Sequence, residues 1–263
     1  MSQPLSLQRE GAVARLRLER PEVHNAFDDG LVAALTRTLD SLTAARDVRV
    51  LVLEGAGASF SAGADLHWMR GMAAATEAEN REDALALARL MRTLDAMPMP
   101  TIARVHGAAF GGGVGLVACC DIAIGAETAK FALSEVKLGL VPAVISPYVV
   151  AAVGLRQARR YFVSGEVFDA ATAARIGLLH ESVAAGQLDA AGDRAVHFLG
   201  KGGPLAQGEA KQLALRVAGV TREAAERIDI ENARLIAHLR VSDEGQRGLA
   251  AFLDKRAPDW VKE

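Results

Sequence analysis

Two glycine-bearing loops are the parts of this sequence best suited to chemistry: Ser61-Ala62-Gly63-Ala64-Asp65 and Gly111-Gly112-Gly113. The second follows an extended segment and opens an apolar run that suits a helix. A helix start leaves N–H groups without intrahelical partners, and its dipole favours negative charge there. Glycine also removes the side chain that would hold a ligand away from the backbone. Gly112 is therefore a candidate oxyanion donor, and Ala64 in the first loop is a candidate second donor. Such a pair acts only if both amides converge on the oxygen where charge develops. The competing reading of three glycines is tight packing of a helix on a strand. The run is not a dinucleotide fingerprint, since no GxGxxG is present, and no Gly-Lys-Ser/Thr closes it into a phosphate loop.

Other reactive residue types are less promising. Asp65 is expected to order the first loop and Asp121 to satisfy buried backbone donors. The six histidines are scattered without metal-ligand spacing, so no metal site is expected. Only His67 stands beside a candidate loop, where a solvent-facing role competes with substrate contact. Cys119 and Cys120 are adjacent, which disfavours a disulfide between them, and no CxxC or basic context argues for activated thiols. They read as core thiols of a reducing cytoplasm.

The elements that must hold these loops follow from hydrophobic periodicity. Residues 13–18 alternate apolar and basic, as in a half-buried strand. Leu31, Leu35, Leu39 and Leu42 predict a helix over about 28–43, and 48–53 is a short apolar strand. A polar segment follows SAGADLHWM, then a helix over about 78–96, stopped by Pro98 and Pro100. TIARV is the next strand. This alternation predicts an α/β protein with crossover helices and glycine-rich turns at strand ends, where ligands of such folds sit. The GKGGP linker at 200–204 separates a core of 1–199 from an all-helical region of 200–263.

A chain of 263 residues supports one large core, or one core with a small appendage. With a net charge of −2, no bulk field points to nucleic acid as a partner. No apolar run is long enough to span a bilayer. The opening MSQPLSLQREGAVARL lacks the pattern of a signal peptide, so a soluble cytoplasmic protein is expected.

In order, RPEVHNAF, FSAGADLHWM, PTIARVHGAAFGGGVGLVACCDIAI, KFALSEVKLGLVP and AFLDKRAPDW resemble the successive landmarks of the crotonase (enoyl-CoA hydratase/isomerase) superfamily. The resemblance covers nearly the whole chain. It implies a spiral of ββα units with a C-terminal helical trimerisation region, and homo-oligomers that are trimers or dimers of trimers. It also implies an acyl-CoA thioester as the partner, with no cofactor beyond the CoA carried by the substrate. Carried over by position, the catalytic residues are Glu135 and the N–H groups of Ala64 and Gly112. Ala62, Gly63, Asp65, Leu66, His67 and Gly111 would line the CoA channel. Phe252 and Lys255 would touch the CoA adenine and phosphate, often from a neighbouring subunit.

Hydratases of that family usually carry two catalytic glutamates, and at the first position this chain has Gly115. A lone Glu135 leaves open a 1,3 double-bond shift, as in Δ3,Δ2-enoyl-CoA isomerases, or hydration by one carboxylate. A non-catalytic CoA-binding scaffold is the reading from another class. The strings SEVKLGLVPAVISPYVV and ARRYF resemble the bacterial 3-methylglutaconyl-CoA and isohexenylglutaconyl-CoA hydratases, which act in leucine and acyclic terpene breakdown. Hydration of a branched glutaconyl-CoA is therefore the expectation. Such a substrate carries a second carboxylate, so its pocket needs a cation or several donors, for which Ser146 and Tyr148 are candidates.

Overall fold

The computed structural model describes residues 3–262. A six-stranded sheet forms its centre, in the order β1 (Leu5–Glu10), β2 (Val13–Leu18), β3 (Val50–Gly55), β4 (Thr101–Val105), β6 (Ile122–Ala126) and β9 (Glu181–Val183). Only the β1–β2 pair is antiparallel; the others run parallel. Parallel sheets need cover on both faces, and alternation supplies it. Leu51 and Leu53 of β3 join the main core with Leu16 and Leu18. Val50 and Val52 turn the other way, with Ile102 and Ile124, onto Leu188 and Ala191 of α7 (Leu188–Leu199).

A second sheet of three short strands, β5 (Ala108–Phe110), β7 (Lys130–Ala132) and β8 (Phe168–Asp169), explains the spiral. The chain leaves β4 of the large sheet, passes through β5 of the small one and enters α4 (Gly112–Cys119). It then repeats the course as β6, β7 and α5 (Ser146–Ser164). The turn before does the same in reduced form. After β3, Ser61 bridges Ala109 in parallel, and the chain continues into α2 (Leu66–Ala74) and α3 (Glu77–Asp95). Ser61, Ala109 and Phe131 are thus aligned across three successive turns. Ala64, Gly112 and Ser134 each follow about three residues later, so the fold stacks three equivalent loops side by side.

Local sequence explains most helix limits. Asp28 caps α1 (Asp29–Thr43) by accepting from the Leu31 N–H at 2.7 Å. Thr76 and Glu79 form a reciprocal capping box on α3. Between Gly203 and Asp254 the chain is mainly helical, with α8 (Pro204–Val217), α9 (Arg222–Val241) and α10 (Asp243–Leu253). The sequence pattern had no helix over 66–74, where only Met69 is buried; capping by Asp65, not an apolar stripe, starts α2. Among the described residues no helix is long and apolar enough to cross a membrane.

Candidate active site

The first loop is built by residues of RPEVHNAF. Asn25 is fully buried with φ 55°, and its Nδ2 donates to the carbonyls of Ala56 and Ser59, both at 2.8 Å. That knot presents Phe27 to the loop. The Phe27 N–H donates to Gly63 O at 2.6 Å, and the Asp65 N–H donates to Phe27 O at 2.8 Å. In a parallel bridge of this kind the residue between, Ala64, turns its own N–H to the opposite side. That amide has no acceptor among the described residues, and Ala64 lines a mostly apolar cavity. Asp65 anchors the loop. Its Oδ1 accepts from the His67 and Trp68 N–H groups, and its Oδ2 pairs with Arg20 at 3.2 Å.

The second loop turns at Gly111, whose φ of 48° and ψ of −116° suit glycine alone. The Gly111 N–H donates to Ala132 O at 2.9 Å, and its carbonyl accepts the first helical bond of α4, from Gly115 at 3.1 Å. The Gly112 N–H, in the first turn of α4, has no acceptor among the described residues and carries the positive end of the helix dipole.

The two loops and Glu135 meet. A Cβ placed on Gly63 would lie 3.1 Å from Phe110 O; one on Gly111 would lie 3.0 Å from Glu135 Oε1 and 3.9 Å from Gly63 Cα. Any side chain at Gly111 would wedge between the carboxylate and the first loop. Glu135 begins a short 3-10 turn, Glu135–Leu138, against which α10 packs so closely that Gly248 has no room for a Cβ beside Leu138 O. The residue as a whole is partly exposed, but its Oε2 is buried with no hydrogen-bond partner. Burial pushes this carboxyl up to about 7 from an ordinary 4.5, against a weaker opposing effect of its own backbone N–H.

The cavity these groups open onto has a volume of about 180 Å³, ample for a short acyl group. Its walls are mostly apolar, with Trp68, Met72, Leu87, Ile145 and Ile236 among them. Glu135 is the only carboxylate on them among the described residues. Gly115 explains the absence of a second one. A Cβ there would overlap Ile145 Cγ2 and stand 3.1 Å from Met91 Cε. The space that a glutamate stem would need is filled by hydrocarbon.

Of the sequence-nominated residues, Ala62, Gly63, Ala64, Gly111, Gly112, Glu135 and Phe252 line this cavity. Asp65 lies behind the loop as its cap, while Leu66, His67 and Lys255 are exposed and off the cavity wall. Ser146 and Tyr148 are also off it; Ser146 Oγ donates to Ala143 O at 2.7 Å. Asp121 Oδ2 accepts from the Thr101 N–H and hydroxyl and from Lys211 Nζ, within 3.0 Å. Both cysteines are buried, and burial raises both thiols, Cys120 to about 12. No group of three or more His, Cys, Asp or Glu is placed to hold a metal among the described residues. Sequence reasoning gave no role to Asn25, Phe27, Trp68 or Arg240. The first two were legible within RPEVHNAF as polar and aromatic residues at a turn; Arg240 carried no local signal.

The fold thus sets two free amides beside a buried carboxyl. Residues 8–263 match the enoyl-CoA hydratase/isomerase family, and the chain belongs to it. A solved enoyl-CoA hydratase from Shewanella pealeana is 44% identical with a TM-score of 0.80, covering 98% of this chain and 96% of that one. The crotonyl-CoA hydratase of Syntrophomonas wolfei is 31% identical, covering 98% and 97% of the two chains. The 2,3-dehydroadipyl-CoA hydratase of Escherichia coli is also 31% identical, covering 97% and 98%.

Proposed function

We propose that this chain hydrates an α,β-unsaturated acyl-CoA, with Glu135 as its single acid–base group. The thioester oxygen sits between the N–H groups of Ala64 and Gly112. As water adds to Cβ, the Glu135 carboxylate takes a proton from it; the electrons of the C=C bond move onto the thioester oxygen as an enolate. The amides stabilise that charge, and loss of one such donor costs about 2.7–4 kcal/mol of barrier. Glu135 then returns the proton to Cα as the enolate collapses. One water is consumed, and the carboxylate is regenerated. A carboxyl near 7 is about half ionised at neutral pH, which suits a group that must both take and give.

The observation carrying this reading is the Glu135 carboxyl, its Oε2 buried without a partner, at the junction of the two loops. The hydratase names of full-length relatives support water addition over isomerisation. The lone carboxylate favours the second reading, a Δ3,Δ2 double-bond shift. Mass spectrometry separates them: hydration adds the mass of one water to an enoyl-CoA, and isomerisation adds none. A panel with no turnover by the wild type would leave the scaffold reading standing.

The substrate proposed is 3-methylglutaconyl-CoA or a related branched glutaconyl-CoA, so the chain would serve leucine or acyclic terpene breakdown. Phe252 flanks the entrance, where the CoA passes out, and Lys255 meets a CoA phosphate. The region 200–263 carries oligomerisation, as a trimer or a dimer of trimers. Exposed Leu205, Leu213, Val217, Ile228 and Ile230 on α8 and α9 are the apolar groups such contacts would cover. The reaction needs no cofactor beyond the CoA of its substrate, and two free buried thiols suit the cytoplasm.

A further inference from the structure

Arg240 of α9 is a charged group on the otherwise apolar wall formed by α2, α3 and α9. Three contacts fix it. Its Nη1 donates to Asp83 Oδ2 at 2.7 Å and to Asn80 Oδ1 at 3.2 Å, and its guanidinium carbon lies 5.2 Å from the centre of the Trp68 ring. Both ion-pair partners are nearly buried, at 11% and 12% exposure. Only Nη1 is engaged. Nε and Nη2 have no acceptor among the described residues, yet neither is fully buried, and Arg240 is on the cavity wall.

A plain hydrocarbon acyl chain gains nothing from such a group, because covering an open guanidinium edge with hydrocarbon removes its hydration without replacement. A carboxylate replaces it fully. The remaining edge is planar, lies beside the Trp68 ring and carries two parallel N–H donors, the geometry that a carboxylate accepts in bidentate fashion. Asp83 neutralises the resting charge, so the site keeps without ligand what a lone buried cation would not. Ser146 and Tyr148, nominated for this task by the sequence, are off the cavity wall.

We infer that Arg240 is a specificity-determining residue, which binds the distal carboxylate of a dicarboxylic enoyl-CoA through Nε and Nη2. The inference rests on the enoyl-CoA hydratase reading and narrows it to acyl groups ending in a carboxylate. Asp83, Asn80 and Trp68 are positioning residues for that contact.

Glutaconyl-CoA and crotonyl-CoA differ only by the terminal carboxyl, so their ratio of kcat/KM isolates it. The ratio is measured for wild type, R240K and the double variant R240M/D83N, which removes both members of the buried pair and leaves no orphaned charge. The wild type prefers glutaconyl-CoA. In R240M/D83N the ratio falls by about 30-fold or more, the usual cost of a lost buried charge contact, and in R240K it falls less. Equal losses for both substrates, or a wild type that prefers crotonyl-CoA, overturn the assignment. If the wild type turns over neither, the hydratase reading has failed by itself. Calorimetric binding of glutaryl-CoA against butyryl-CoA then decides the recognition: tighter glutaryl-CoA binding that R240K weakens supports it, and equal binding refutes it.

Discussion

Replacing Glu135 by glutamine should remove activity and yet stabilise the protein at alkaline pH. The carboxyl is buried, its Oε2 has no partner, and it is held near 7 where an unfolded chain has 4.5. A carboxyl with a raised folded value binds its proton more tightly when folded. Between 4.5 and about 7 the folded state therefore holds more protons than the unfolded one, and stability falls as pH rises through that window. Above it the full penalty applies, about 3 kcal/mol at about 1.4 kcal/mol per pH unit. Glutamine has the same shape and never ionises. Urea unfolding of wild type and E135Q at pH 5 and pH 8.5 should show the variant's advantage widening by about 2–3 kcal/mol between the two. Other titrating groups, such as Asp95, raised to about 6 by burial, cancel in the difference. An advantage that does not change with pH would refute the burial of this carboxyl.

The remaining expectations need simpler measurements. G115A forces a methyl group onto Ile145 Cγ2 and should destabilise the fold by about 1–3 kcal/mol by thermal or urea unfolding. G115A/I145A should recover part of that, and an unperturbed G115A would show the space was never filled. The kcat/KM profile of an active enzyme should rise with pH through about 7 as Glu135 ionises, and a flat profile from pH 5 to 8 would argue against its role as base. Cys119 and Cys120 should resist a thiol reagent such as DTNB in native protein and react after denaturation; rapid native labelling would contradict their burial.

How much of this was legible varies with the physical size of the signal. α1 was readable because Leu31, Leu35, Leu39 and Leu42 repeat over four turns and Asp28 caps the start. β4 was readable from five apolar-rich residues preceded by Pro98 and Pro100 and followed by Gly107. β5, β7 and β8 span at most three residues each, too few for any period to register, and they are what stacks the three loops. β1 was missed because its burial fades to exposed residues after Ser6. The glycine loops were visible as composition, but their meeting depends on the Phe27 and Ser61 bridges, which are long-range pairings. Gly115 marked a missing carboxylate; that Ile145 and Met91 fill its place needed the packed core. Arg240 lies far from either loop in sequence, and only the packing of α9 along α3 brings it to the cavity.

The central claim is that the Ala64 and Gly112 amides share one oxygen within reach of Glu135. A crystal structure of the protein with a saturated acyl-CoA, butyryl-CoA or glutaryl-CoA, tests it most directly. The thioester oxygen should lie within about 2.7–3.1 Å of both nitrogens, with a Glu135 oxygen beside Cα. A thioester oxygen facing solvent, or a Glu135 carboxylate turned from the acyl chain, would contradict it.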